Sequence, residues 1–278
     1  MTTDYSAAVA TARDYYNSDD ADNFYYTIWG GEDIHVGLYQ ADDESIFDAS
    51  RRTVERLAGK LSGLGKDSRV LDLGAGYGGA ARYLASTYGC RVVALNLSEV
   101  ENERDRQMNR DEGLDGLIEV VDGSFDALPY ADDTFDFIWS QDAILHSDNR
   151  TKVMQEAARV LKPGGEMVFT DPMQADNCPE GVLQPILDRI HLESLGSPNF
   201  YRDTARQVGL EDLGFEDHTE QLPRHYFRVL QETESVEADL RKVVSTDYIE
   251  RMKKGLRHWV DGGNAGYLAW GIFHFRKP

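Results

Sequence analysis

Cysteine is almost missing from this chain: Cys90 and Cys178 are the only two in 278 residues. That excludes a disulfide framework and a thiolate metal cluster, so a cytoplasmic protein with no metal site is expected. Long apolar runs are missing too, and nothing approaches the roughly 20 residues that span a bilayer. The opening residues Met1-Thr2-Thr3-Asp4-Tyr5 carry neither a basic nor an apolar region, so no secretory signal is expected. Positive charge is scarce: 29 Lys and Arg face 49 Asp and Glu, for a net charge of -20. With a pI near 4.7, such a surface repels phosphates, which excludes nucleic acid and anionic membranes as expected partners. The acids are scattered (Asp19-Asp20, Asp42-Asp43-Glu44, Asp132-Asp133, Glu211-Asp212) rather than gathered into a tail. A folded, heavily hydrated surface follows, one whose self-repulsion salt would screen. The expected host is a halophile. Repeats and low-complexity linkers are absent.

What is present is an alternation of short apolar strands and helices. Residues 69–73, 91–95, 117–121, 134–139 and 166–170 read as strands, with helices at about 79–88, 99–112 and 150–161. Parallel strands with right-handed crossovers, an α/β doubly wound sheet, follow from that order. Residues 4–60 read as helical, with a turn at Trp29-Gly30-Gly31. Helices at 180–195 and 200–209 come next, then a strand at 214–219, a long helical region to about 258, and an aromatic strand from Gly266 to Phe275. The expected division is an N-terminal helical cap over 1–60 and a main domain over 61–278, with a helical insertion near 176–260.

Between Val70 and Gly79 an apolar strand carrying Asp72 runs straight into a glycine turn. Gly74, Gly76 and Gly79 satisfy the G-x-G-x-x-G pattern, in which missing side chains let the backbone approach a nucleotide-like ligand. On that pattern alone a nicotinamide cofactor is open. The second strand ends at neutral Asn96-Leu97, where dehydrogenases often place a ribose-binding acid. The third leads into Val121-Asp122-Gly123-Ser124-Phe125. Leu128-Pro129-Tyr130, Asp133-Thr134-Phe135-Asp136 and Leu161-Lys162-Pro163-Gly164-Gly165 follow.

This ordered set resembles the motifs of class I S-adenosylmethionine-dependent methyltransferases, over about residues 68–171. The resemblance implies a Rossmann-like seven-stranded sheet whose last strand is antiparallel. It also implies that Asp72, Gly74 and Gly76 serve the amino-acid end of S-adenosylmethionine and that Asn96 and Leu97 lie at its ribose, Asn96 standing where the family usually carries an acid. Asp122 would meet the adenine amino group, Gly123 and Ser124 would shape the base pocket, and Gln141 would complete the cofactor site.

Just past a strand's carboxyl end comes Ser140-Gln141-Asp142-Ala143-Ile144-Leu145-His146. It resembles the S-x-D-A-I-L-H signature of phosphobase methyltransferases and of sarcosine/dimethylglycine methyltransferases. Phosphobase enzymes typically carry Arg between the Ser and the Asp, a partner for phosphate. Gln141 there favours a small amino acid, and with it betaine synthesis, betaine being an osmolyte. Phe24 to Gly31, with Tyr25 and Trp29, resembles the lid of these enzymes, and aromatic faces suit an amine that becomes cationic.

The expected reaction is in-line methyl transfer to a neutral amine. His146 is the candidate base or amine-positioning group because its charge changes near neutral pH, and Tyr26 is the candidate lid hydroxyl. Asp142 is expected at the substrate, and Tyr201 with Arg202, or Arg206, is expected to hold its carboxylate. A glycine/sarcosine or phosphoethanolamine methyltransferase is the near alternative. An NAD-dependent oxidoreductase and a catalytically silent cofactor-binding subunit are the distant ones. Oligomeric state stays open.

Overall fold

The computed structural model describes residues 7–278, so positions 4–6 of the expected N-terminal helical stretch lie outside it. Three helices come first: α1 (Ala7–Tyr16), α2 (Asp19–Trp29) and α3 (Ile46–Ala58). The alternating region follows as β1 (Arg69–Leu73), α4 (Gly79–Tyr88), β2 (Arg91–Asn96), α5 (Glu99–Asp111), β3 (Ile118–Asp122) and β4 (Phe135–Gln141). A single 3-10 turn, Ile144–His146, leads to α6 (Arg150–Val160), β5 (Leu161–Thr170) and the short β6 (Met173–Gln174). Then come α7 (Gln184–Ile190), α8 (Pro198–Gln207), β7 (Glu211–Asp217), α9 (Gln221–Ser235), α10 (Glu237–Leu240), α11 (Thr246–Asn264), β8 (Leu268–Ala269) and β9 (Gly271–Arg276).

Among the described residues the main sheet has seven strands in the order β3-β2-β1-β4-β5-β9-β7. The first five are parallel, and β9 runs antiparallel to both β5 and β7, as the resemblance implies. The period-2 pattern of β1 explains the layering: Leu71 and Leu73 enter one apolar cluster, and Val70 enters the cluster on the opposite face. Ser18, Ser45, Ser98, Ser197 and Ser245 cap α2, α3, α5, α8 and α11, each accepting a backbone N–H three residues on. Each such cap is worth about 1 kcal/mol.

Strand order reverses between β1 and β4, and ligands of open α/β sheets bind outside the carboxyl ends at that point. A helical layer closes over it. Phe24, Ile28 and Trp29 of α2 pack with Val229 of α9 and with Ile249 and Met252 of α11. The helix expected over 180–195 is confined to Gln184–Ile190. Pro185 occupies its first turn, and His191 ends it in the left-handed conformation at φ 56°. No helix among the described residues is long and apolar enough to cross a membrane.

Candidate functional site

Two cavities meet at the carboxyl end of the sheet. The first is lined by Gly74 and Gly76 after β1, Asn96 at the end of β2 with Leu97 and Glu101 after it, Gly123, Ser124 and Phe125 after β3, and Gln141 at the end of β4. Gly74, at φ 78°, is needed twice over, since a Cβ there would stand 2.3 Å from the Cβ of Ala143. A small recess beside the glycine turn holds Asp33, Asp72 and Gln141. Asp72 is 2% exposed and its Oδ2 has no hydrogen-bond partner. Burial, with Asp105 and Asp33 nearby, drives its pKa well above the usual carboxylate value. A cationic ligand group would relieve that cost.

Glu101 is the other buried carboxylate at this cavity. It sits in the first turn of α5, in the sequence Ser98-Glu99-Val100-Glu101, whose form is a helix capping box. Ser98 does cap the backbone N–H of Glu101, at 3.2 Å, but the Glu101 carboxylate instead accepts from Asn96 Nδ2 at 2.9 Å. Desolvation pushes its pKa up to about 7, against the Asn96 bond. An acid absent from the end of β2 thus stands five residues later, on α5, against the Asn96 amide.

The second cavity lies under the helical layer and is strongly aromatic, with Tyr15, Tyr16, Tyr25, Trp29, Tyr226 and Trp259 in its walls. Tyr16, Ile34, Asp142 and His146 line both cavities and mark the junction. The Asp142 backbone is in the left-handed region, at φ 52°, and its carboxylate accepts from the Val36 N–H at 2.7 Å and from Trp270 Nε1 at 2.8 Å. Tyr16 Oη and His146 Nε2 share a 3.0 Å hydrogen bond. Burial, reinforced by the charges of Arg150 and Arg189, holds the His146 pKa down at about 4, so the imidazole is neutral at physiological pH.

Residues 71–169 match the family model of a methyltransferase domain. The sarcosine/dimethylglycine N-methyltransferase of Halorhodospira halochloris is 67% identical over 97% of this chain and 97% of its own. The sarcosine/dimethylglycine N-methyltransferase of Aphanothece halophytica is 56% identical over 98% of each chain. A crystal structure assigned to a sarcosine dimethylglycine methyltransferase of Galdieria sulphuraria aligns with a TM-score of 0.90 at 46% identity, covering 95% of this chain and 98% of that one. The chain belongs to the sarcosine/dimethylglycine N-methyltransferase family.

Within this methyltransferase frame, Asp72, Gly74, Gly76, Asn96, Leu97, Gly123, Ser124 and Gln141 all line the glycine-lined cavity or its recess. Asp122 is not among its lining residues. It is exposed, and its oxygens accept from Asn102 Nδ2 at 2.7 Å and Arg106 Nη2 at 2.9 Å. Tyr25, Trp29, Asp142 and His146 line the aromatic cavity, although the titration near neutral pH that singled out His146 is removed by burial.

Tyr26 is a correction. One residue on from Tyr25, it is rotated about 100° around α2 and faces outward, 39% exposed. Its ring lies under Arg104, 4.4 Å from the guanidinium, and packs edge-on against Tyr77. The hydroxyl that reaches His146 comes from Tyr16 of α1. Arg202 and Arg206 are corrections too: on α8 they pair with Asp212 and Asp203 and line neither cavity. Tyr201 is fully buried in the core and donates its hydroxyl to Asp171 Oδ2. Asp171 Oδ1 in turn accepts from the Leu145 N–H at 2.9 Å, so Tyr201 braces the His146 turn from behind.

Sequence reasoning missed Glu101, hidden inside a capping signature, and Tyr15, Tyr16, Arg189, Tyr226 and Trp259, which only tertiary packing gathers. The run Ile186-Leu187-Asp188-Arg189-Ile190 held one usable signal, an arginine embedded among apolar helix positions.

Proposed function

We propose that this protein methylates the nitrogen of sarcosine and dimethylglycine, ending at glycine betaine, with S-adenosylmethionine as donor. The observation that carries this reading is the junction itself. An aromatic chamber opens onto a glycine-lined nucleotide cavity through Tyr16, Ile34, Asp142 and His146. Bound there, the cofactor supplies an electrophilic sulfonium methyl. Its ammonium suits the unpartnered Asp72 carboxylate, and its ribose hydroxyls suit Asn96 and Glu101.

Methyl transfer moves positive charge toward the acceptor nitrogen, so what the chain must supply is alignment, dryness and a hospitable field. The faces of Tyr16, Tyr25 and Trp29 attract the forming ammonium by roughly 0.5 to 2 kcal/mol each. The buried Asp142 carboxylate adds to this from the junction. Neutral His146 and Tyr16 can hold an amine N–H of sarcosine. Neutral dimethylglycine has no N–H to offer, so its lone pair must be aimed by the chamber walls and by the grip on its carboxylate. A base with a pKa near 4 cannot strip an alkylammonium, and the site therefore selects acceptor that is already neutral.

The helical layer built from α1, α2, α7, α9 and α11 is, in this reading, the cap that excludes water. With two free thiols, one of them buried, the protein suits the reducing cytoplasm. The test is product analysis with glycine, sarcosine, dimethylglycine and phosphoethanolamine as acceptors. Conversion of sarcosine and dimethylglycine to betaine is expected, and turnover of phosphoethanolamine alone would overturn the assignment.

A further inference from the structure

The acceptor chamber has two ends. One is the junction with the cofactor cavity. The other is shared with an outer recess, and Tyr15, Arg189, His191 and Met252 line both sides of that boundary. The reacting nitrogen belongs at the first end, so the rest of the acceptor must extend toward the second.

Arg189 occupies that second end without a counter-ion. Among the described residues no carboxylate lies within salt-bridge distance of it, and its side-chain neighbour is Met252 Sδ. The adjacent Asp188 is engaged by Gln184 Nε2 at 2.6 Å. In place of acids, Arg189 has tyrosines: Tyr15, Tyr25, Tyr226 and Tyr248 all lie within reach of its charge. The one acid in the chamber wall, Asp142, stands at the junction and is held by the Val36 N–H and Trp270 Nε1, so the Arg189 guanidinium is left with an unmet demand. Its charge also reaches the junction, where it helps keep His146 unprotonated.

A second feature shows that the placement is built. Gly255 lies in the middle of α11, where glycine costs roughly 0.5 to 1 kcal/mol relative to alanine. A Cβ there would sit 2.1 Å from Arg189 Nε and 2.9 Å from Cζ. Glycine at that turn clears the space the guanidinium occupies. Beyond it, the recess carries Arg251 and Lys254 against one acid, Asp188, on a molecule of net charge -20.

We infer that Arg189, seated across Gly255, binds the carboxylate of the acceptor amino acid and so orients its nitrogen toward the junction. The Tyr15 hydroxyl is already engaged, sharing hydrogen bonds with Tyr25 at 3.3 Å and Tyr248 at 2.9 Å, so the guanidinium is the principal donor at this end. This assignment rests on the amino-acid acceptor reading above.

The test compares dimethylglycine with its neutral isostere N,N-dimethylglycinamide in wild type, Arg189→Met, Arg189→Lys and Gly255→Ala, with S-adenosylhomocysteine affinity as the check on folding. Wild type should prefer the acid by about a hundredfold or more in kcat/KM, the scale of a buried charge-assisted pair. Arg189→Met should raise KM for dimethylglycine about a hundredfold and collapse the preference, leaving S-adenosylhomocysteine affinity within about twofold. Arg189→Lys should restore part of the preference. Gly255→Ala, which keeps the charge but displaces it and improves helix propensity, should raise KM about tenfold in a stable protein. If wild type turns over dimethylglycine and all three variants keep its KM and its preference for the acid, Arg189 is not the carboxylate site. If wild type methylates neither sarcosine nor dimethylglycine, the acceptor reading itself has failed.

Discussion

Replacing Glu101 with glutamine should make the cofactor-free protein more stable and the enzyme worse at holding its cofactor. Burial lifts the Glu101 pKa from 4.5 to about 7. At 1.36 kcal/mol per unit, that shift corresponds to about 3 kcal/mol of cost for keeping the carboxylate charged in the folded state. The sign follows from proton counting. Between pH 4.5 and 7 the folded protein binds more protons at this position than the unfolded chain, so stability falls as pH rises through that window. Below 4.5 the penalty is absent, and above 7 it is complete. Glu101→Gln keeps an acceptor for Asn96 Nδ2 but never ionises.

Urea denaturation without cofactor is the assay, run at pH 5, 6, 7 and 8 on both proteins. The variant should gain on wild type progressively across the series, reaching about 2 to 3 kcal/mol at pH 8 after allowance for the cost of burying the amide. Asp171, whose pKa burial raises to about 7, is common to both proteins and drops out of the difference. Calorimetry with S-adenosylhomocysteine at pH 8 should show affinity reduced about tenfold or more, because two ribose hydroxyls lose an ionised acceptor. Wild type should also release a proton on binding below pH 7, read from the dependence on buffer ionisation. A variant that is less stable than wild type at pH 8 and binds S-adenosylhomocysteine equally well would refute the reasoning at both points.

Gly74→Ala should abolish cofactor binding, because the added Cβ meets Ala143 at 2.3 Å on a backbone already at φ 78°; calorimetry with S-adenosylhomocysteine checks it. Tyr16→Phe should lower kcat at least about tenfold by releasing His146, while Tyr26→Phe should leave kcat within about twofold; steady-state kinetics on dimethylglycine separate the two. Tyr201→Phe should cost about 1 to 3 kcal/mol at pH 8, where buried Asp171 is charged and loses its donor, and less at pH 5, where the carboxyl is protonated; denaturation at both pH values measures it.

The sheet was legible because its signals are local. Each parallel strand is a short apolar run closed by Gly, Pro, Ser or Asp, and five serine caps mark helix starts wherever tertiary packing falls. The glycine turn was legible for the same reason, and its position at the switch between β1 and β4 follows from strand order alone. Legibility failed where one residue of rotation decides the role. Tyr25 and Tyr26 are chemically equivalent in sequence, and only the packing of α2 on α9 and α11 turns one inward. Asp122 failed differently: its strand ends where expected, but Asn102 and Arg106 of α5 engage its carboxylate away from the cavity lining.

The arginines show the limit most sharply. Arg202 and Arg206 were attractive by chain order, following the strand whose carboxyl end faces the site. A chain so rich in acids pairs its surface cations by default, and both find Asp203 or Asp212 on their own side of α8. A functional cation in such a protein has to be one the fold has shielded from carboxylates, and shielding is a property of tertiary neighbours. Arg189 has tyrosines and a glycine around it, contributed by α1, α2, α9 and α11, which are separated from it by tens of residues or more in the chain. No window of sequence around position 189 contains that information. The one carboxylate in the chamber wall, Asp142, is held at the junction by the Val36 N–H and Trp270 Nε1, and no acid among the described residues pairs with Arg189. An acceptor carboxylate is then the anion best able to enter the chamber.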